Sequence, residues 1–138
     1  MTERPKVGIG VVIRKEGKVL IGERIGSTHA NNTWHLAGGH LEYGEDFAAC
    51  ARREAAEECG LKINVRGVGC VTNDLFSEGK HYVTLFIIAD YVSGEPQALE
   101  PHKCKGWGWR SWNDLPQPLM LPIENAVKQG FDPFAVFN

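Results

Sequence analysis

Residues 39–61, from Gly39 to Leu61, read GHLEYGEDFAACARREAAEECGL. The stretch places Glu54, Glu57 and Glu58 within five residues, beside Arg53. On a helix, positions i, i+3 and i+4 share one face. Three carboxylates then crowd together near the C-terminal end of that helix, where the macrodipole already disfavours negative charge. Like-charge pairs at this spacing cost a helix roughly 0.2–0.5 kcal/mol each. A cluster that opposes its own helix calls for a cation, and hard oxygen donors suit Mg²⁺ or Mn²⁺. An isolated Glu-Glu pair is usually no more than a solvated helix face. Two features weigh against that here. Gly38-Gly39 precedes the helix, so backbone can approach a ligand closely. Glu45 follows six residues after Gly39, just ahead of the apolar run Phe47-Ala48-Ala49.

With those residues in place, the stretch resembles the Nudix box. That pattern is Gly, five residues, Glu, seven residues, then Arg-Glu-apolar-any-Glu-Glu-any-Gly-apolar. Gly39, Glu45, Arg53, Glu54, Ala55, Glu57, Glu58, Gly60 and Leu61 occupy its positions, and all seven fixed identities are present. Ala55 is the weakest match. The resemblance implies an α/β fold, the Nudix-type α/β/α sandwich around a mixed β-sheet, formed by a single domain over residues 1–138 with its box at 39–61.

Composition sets the outer bounds. A chain of 138 residues with 43% hydrophobic and 23% charged content is long enough for one real core. The net charge of −2 and the lack of a long basic run argue against a broad grip on nucleic acid. Cys50, Cys59, Cys70 and Cys104 form neither a Cys-x-x-Cys nor a zinc pattern, and read as reduced apolar residues. The N-terminus resembles neither a signal peptide nor a membrane span, so the expected location is cytoplasmic, with no membrane partner.

Working outward from the box, Val7–Ile13 and Val19–Gly22 read as a hairpin around Lys15-Glu16-Gly17. Gly26 to Asn32 is dense in turn-formers and reads as a loop. Trp34–Leu36 reads as a short strand and Ala37-Gly38-Gly39 as a tight turn. Glu45 and Asp46 open the box helix and Gly60 closes it. Ile63–Leu75, Tyr82–Val92 and Gly106–Arg110 read as strands, and Pro122–Gly130 as a last helix. Helices on either side of a mixed sheet fit this order.

The resemblance implies hydrolysis of a diphosphate linked to another moiety. Carried over by position, Glu54, Glu57 and Glu58 hold divalent ions, with the Gly38 carbonyl as a further ligand. Mg²⁺ is the expected cofactor and Mn²⁺ a substitute. Glu54 or Glu57 takes the proton from the attacking water, and the sequence does not separate them. Arg53 is expected to orient the glutamates ahead of touching phosphate. Glu100, in LEPHKCKGWGW, is a further candidate metal ligand, with a solvated loop acid as the equal alternative.

Resemblance outside the box narrows the substrate. Arg24, His29-Ala30-Asn31 and Gly38-Gly39 follow the order of the MutT branch. Similarity extends to small nucleoside-triphosphate diphosphatases through Gly38-Gly39-His40-Leu41-Glu42, His81-Tyr82-Val83-Thr84, Glu100-Pro101-His102-Lys103, Trp107-Gly108-Trp109 and Gly130-Phe131-Asp132-Pro133-Phe134. It implies cleavage of (deoxy)nucleoside triphosphates to monophosphate and pyrophosphate, with oxidised purines such as 8-oxo-dGTP as candidate substrates. It also implies a homodimer and a small-molecule nucleotide partner. The expected substrate-binding residues are Arg24, His29, Trp34, Leu36, Gly39, Thr84, Met120 and Leu121. Trp34 is the stacking candidate, whereas Trp107 and Trp109 alternate on one strand face and read as packing. Leu119-Met120-Leu121-Pro122-Ile123 offers an adaptable apolar wall without an obvious reader of the base. The alternatives are a nucleotide-sugar, ADP-ribose or pterin-triphosphate diphosphatase, or a module that senses a nucleotide without cleaving it.

Overall fold

The β-branched N-terminal run forms β1 (Lys6–Lys15), and a two-residue turn returns the chain into β2 (Lys18–Arg24) in the computed structural model, which describes residues 3–26 and 31–138. Glu16 and Gly17 both take positive φ, 50° and 76°, as a primed hairpin turn requires. The hairpin is brief: only Arg14↔Val19 and Lys15↔Lys18 pair before the strands part. Beyond that point Gly8–Val11 of β1 pairs antiparallel with β4 (Ala37–His40), while Lys6–Arg14 runs parallel to β6 (His81–Ser93). β2 turns instead to β3 (Trp34–His35) and β7 (Cys104–Arg110). β5 (Lys62–Leu75) pairs antiparallel with β6. The sheet is therefore mixed, in the order β3-β2-β1-β6-β5, with β4 on β1 and β7 on β2.

Ala37-Gly38-Gly39 is thus strand, not the tight turn its composition suggests. A Cβ on Gly38 would stand 2.0 Å from the Ile9 carbonyl oxygen. The absent side chain is what lets β4 approach β1 this closely. The glycines serve proximity here, not unusual dihedrals.

Strand alternation divides the core into two layers. Ile9, Val11 and Ile13 of β1, with Ile87 and Ala89 of β6, face α1 (Phe47–Cys59) through its Cys50, Ala51, Ala55 and Cys59. Val12, Phe86 and Ile88 face the other way, toward Ile123 and Ala126 of α2 (Leu121–Lys128). A sheet with one helix on each face is the expected α/β/α sandwich. Trp107 and Trp109 both pack on the α1 layer, as their alternation predicts.

The ends of α1 follow the sequence closely. The Asp46 carboxylate accepts the Ala49 amide at 2.7 Å, a standard N-cap. Gly60 closes the helix at φ 72°, with its N–H donated to the Ala56 carbonyl and the Leu61 N–H to that of Ala55. All four cysteines are free thiols, three of them buried. No described helix is long and apolar enough to cross a membrane.

Candidate active site

Capping at Asp46 sets the rotation of α1, and with it the direction of its glutamates. Glu54 turns toward β4 and is 7% exposed. A Cβ on Gly39 would meet its Oε1 at 2.7 Å, so the second glycine of the pair clears the space this carboxylate occupies. Glu58 sits beside it, accepting the Gly38 N–H at 3.2 Å. Burial, and then the neighbouring Glu54, push the Glu58 carboxyl well above the usual carboxylate range. Arg53 gathers the rest. Its guanidinium donates to Glu45 at 2.8 and 3.0 Å, to Glu54 at 2.7 Å and to Glu57 at 3.4 Å, and pairs with Glu42 at 3.2 Å. These hydrogen bonds hold the Glu45 carboxyl down at about 2 and keep Arg53 firmly protonated.

On the far side of Gly38-Gly39 the backbone opens into a cleft of about 150 Å³. Gly8 and Gly10 of β1, Leu36, Phe86, Met120 and Ile123 give it an apolar floor and wall, in which Thr84 is a polar member. Met120 reaches it because the segment before α2 docks on β3: Trp34 N–H donates to Pro118 O and Met120 N–H to Trp34 O, both at 2.9 Å. Phe76, Tyr82 and His40 form an aromatic rim, with Phe76 edge-on to Tyr82 and the His40 Nε2 3.2 Å from the Tyr82 hydroxyl. Arg24 lines the end nearest Glu58; burial lowers its pKa, and Glu58 counters part of that fall.

A family model described as the NUDIX domain matches residues 3–129. The chain belongs to the Nudix family. Among solved structures, it is similar to a MutT NUDIX hydrolase from Burkholderia pseudomallei at 32% identity, with a TM-score of 0.84 over 92% of this chain and 98% of that one. An ADP-ribose pyrophosphatase from Streptococcus suis shares the fold at 23% identity, with a TM-score of 0.73 over 98% of this chain and 94% of the other. The NAD-capped RNA hydrolase NudC of Salmonella paratyphi C is 31% identical over 117 residues. That match takes in 85% of this chain but 42% of NudC, so the chain spans about two-fifths the length of the curated relatives it matches.

Nudix hydrolases generally use divalent metal ions. Among the described residues no three acidic, imidazole or thiol groups stand in a ligating array: Glu54 and Glu57 turn to Arg53, and Glu58 to the Gly38 amide. The donor chemistry nevertheless fits such an ion. The cluster offers carboxylate oxygens, and the same desolvation and Glu54 charge that raise the half-buried Glu58 carboxyl would favour a cation beside it.

The structure brings Arg53, Glu54, Glu57, Glu58, Gly38 and Gly39 of the expected set together at the junction of α1 and β4. It places Arg24, Leu36, Thr84 and Met120 along the cleft. Glu100 lies ahead of β7, close enough for its charge to raise the Glu58 pKa further, and 4.0 Å from Lys103. Two residues fall outside the cleft lining. Trp34 carries the Arg110 guanidinium over its ring at 5.5 Å and packs on the α2 layer. Leu121 opens α2 while Pro122 and Ile123, beyond it, reach the cleft. His29 lies outside the described residues.

His35 was missed by sequence reasoning. It stacks on Trp107 at 5.2 Å, and its Nε2 is buried without a hydrogen-bond partner. Burial, then the charge of Arg24, lower its pKa to about 3, so the ring is neutral at the cleft edge. Strand alternation could have flagged it, since Trp34 and Leu36 pack on the α2 layer and His35 between them must turn to the other face, where Trp107 lies.

Proposed function

We propose that this Nudix hydrolase cleaves nucleoside and deoxynucleoside triphosphates to the monophosphate and pyrophosphate, with Mg²⁺ as its ion and Mn²⁺ as a substitute. Oxidised purine nucleotides such as 8-oxo-dGTP belong to the substrate class to be tried. One observation carries the reading. An apolar, aromatic-rimmed cleft and a carboxylate cluster share the Gly38-Gly39 backbone, so a base in the cleft puts its phosphates beside Glu54, Glu57, Glu58 and Arg24.

Glu54, Glu57 and Glu58, with the Gly38 carbonyl and Glu100 alongside, would hold the ion. When bound, it neutralises charge developing on the phosphate oxygens and favours deprotonation of water. The chain's own residues do the remainder. Arg53 positions Glu54 and Glu57 by hydrogen bonds and fixes the entry of the helix through Glu45. Glu57 is the better placed base: its side chain is 55% exposed and its bond to Arg53 is the longest of the set, so its oxygens remain open to an attacking water. Arg24 meets the phosphates at the cleft end, and Leu36 and Met120 pack on the base.

A panel of canonical and damaged nucleoside triphosphates, NAD and ADP-ribose, ranked by kcat/KM with Mg²⁺, tests the proposal. Release of pyrophosphate from triphosphates, ahead of any cleavage of NAD or ADP-ribose, is the expected result. Preference for NAD would favour the activity named for NudC, and preference for ADP-ribose that named for the Streptococcus suis enzyme. Binding of dGTP without turnover at any Mg²⁺ concentration would point to a sensor.

A further inference from the structure

Beneath the cleft lies a polar group that hydrolysis does not require. Asp74, on β5, is 0% exposed. Its Oδ2 accepts the Thr84 hydroxyl at 2.6 Å and the Thr72 hydroxyl at 3.0 Å, and its Oδ1 accepts the Asn125 amide Nδ2 at 2.8 Å. Among the described residues no cation pairs with it. A carboxylate buried on neutral donors alone is costly in desolvation, and an apolar side chain would fill the same space at less expense to stability. Its effect on the cleft is specific. A threonine hydroxyl has one hydrogen and two lone pairs. Thr84 commits its hydrogen to Asp74, and Thr84 lines the cleft floor.

We propose that Asp74 locks the Thr84 hydroxyl as a hydrogen-bond acceptor, so that the cleft selects nucleobases presenting an N–H donor, such as an exocyclic amine, to its floor. Thr84 is the specificity-determining residue, and Asp74 a positioning residue acting through it. The inference rests on the reading that the cleft takes the base of a nucleotide. It extends that reading by supplying the reader that the apolar 119–123 segment lacks.

Asn125 makes the device testable. Its Nδ2 also reaches the Asn73 carbonyl at 3.4 Å, which pins the amide with its nitrogen toward β5. In Asp74→Asn, the new amide must therefore turn its oxygen to Asn125 and its nitrogen to Thr72 and Thr84. The Thr84 hydroxyl then accepts from that nitrogen and frees its own hydrogen for the cleft, so acceptor becomes donor.

Calorimetric binding of monophosphate pairs differing in an amine, CMP with UMP and GMP or AMP with IMP, reads this without hydrolysis. In at least one pair the wild type prefers the amine-bearing partner by about tenfold, the scale of one unsatisfied polar contact. Thr84→Val, near constant in volume, brings that ratio close to one. Thr84→Ser retains it, and Asp74→Asn reverses it. Should Asp74→Asn fail to fold, the two Thr84 variants still decide. Equal binding within every wild-type pair overturns the proposal, as does a preference that survives in Thr84→Val. Triphosphate turnover by the wild type is scored separately. Paired discrimination without pyrophosphate release sinks the hydrolase reading alone, and pyrophosphate release without discrimination sinks only this inference.

Discussion

At the scale of single residues, the box glutamates are not equivalent. Glu54 is buried against Gly39 and tied to Arg53, Glu58 is half-buried on the Gly38 amide, and Glu57 is exposed. Glu57→Gln is expected to lower kcat by about 10²–10⁴-fold, the range of general base catalysis, while the thermal midpoint stays close to the wild type. Turnover within a few fold of the wild type would remove Glu57 from that role. Glu58 makes a different prediction, in stability. The folded protein holds its proton above the pH at which the unfolded chain releases it, near the ordinary value of 4.5. Between those two values the folded state binds more protons, so the metal-free protein loses stability as pH rises through the window. A bound divalent ion takes the proton's place and flattens the slope. Melting midpoints followed from about pH 5 to about pH 8, with chelator and then with Mg²⁺, check this. Glu58→Gln flattens the chelator curve and costs turnover heavily. Full activity in Glu58→Gln would contradict its assignment as a ligand. The identities and order of these acids were legible in the sequence. Their unequal burial was not, because it depends on two glycines of another strand.

At the scale of elements, β4 carries the site and was the element misread. Ala37-Gly38-Gly39 has turn composition, and nothing local reveals that Val11, Gly10 and Ile9 lie opposite. Strand pairing is a long-range property, and a glycine used for closeness resembles one used for a turn. Gly38→Ala tests the difference. Its Cβ would lie 2.0 Å from Ile9 O and 3.2 Å from Gly10 Cα, both backbone atoms that cannot rotate away. A loss of about 2–3 kcal/mol in urea unfolding is expected, with activity falling as the displaced backbone carries the residue-38 N–H away from Glu58. Gly106→Ala on β7, where a Cβ meets nothing within 4 Å, is the matched control and should cost far less. Equal losses would mean that close approach is not what Gly38 provides. The helix, by contrast, was readable at both ends, because Asp46 and Gly60 act within one turn of themselves. The cleft was readable in part. Leu36, Thr84 and Met120 line it, yet Trp34 does not, since the docking of residues 118–120 on β3 turns its ring toward Arg110 and the α2 layer.

At the scale of the molecule, a single arginine ties the two ends of the chain together. Arg14, at the end of β1, is 9% exposed. Its Nε donates to Asp90 of β6 at 2.8 Å, and its two Nη atoms to the carbonyls of Pro133, Val136 and Phe137 at 2.8–2.9 Å. The guanidinium thereby carries the C-terminal tail on the central pair of parallel strands. Contacts spanning about 120 residues leave no local trace, which is why the tail's Gly-aromatic-Asp-Pro-Phe pattern could be noticed but not explained from sequence. Burial raises the Asp90 carboxyl, and hydrogen bonds from Arg14 and Arg66 outweigh that and leave it below its ordinary value. Arg14→Met keeps the length of the stem and removes every one of these donors. Three carbonyls then lose their partner and Asp90 keeps only Arg66, at 2.9 Å. A loss of about 3 kcal/mol is expected, read as a lower urea midpoint with the slope unchanged. Arg66→Met removes a surface donor from the same carboxylate and should cost under about 1 kcal/mol. Because the clamp lies on the β1–β6 end away from Gly38-Gly39, kcat measured well below the melting transition should stay near the wild type in both variants. If Arg66→Met cost as much as Arg14→Met, the stabilisation would belong to the Asp90 ion pairs, and the tail would be a passenger on the fold.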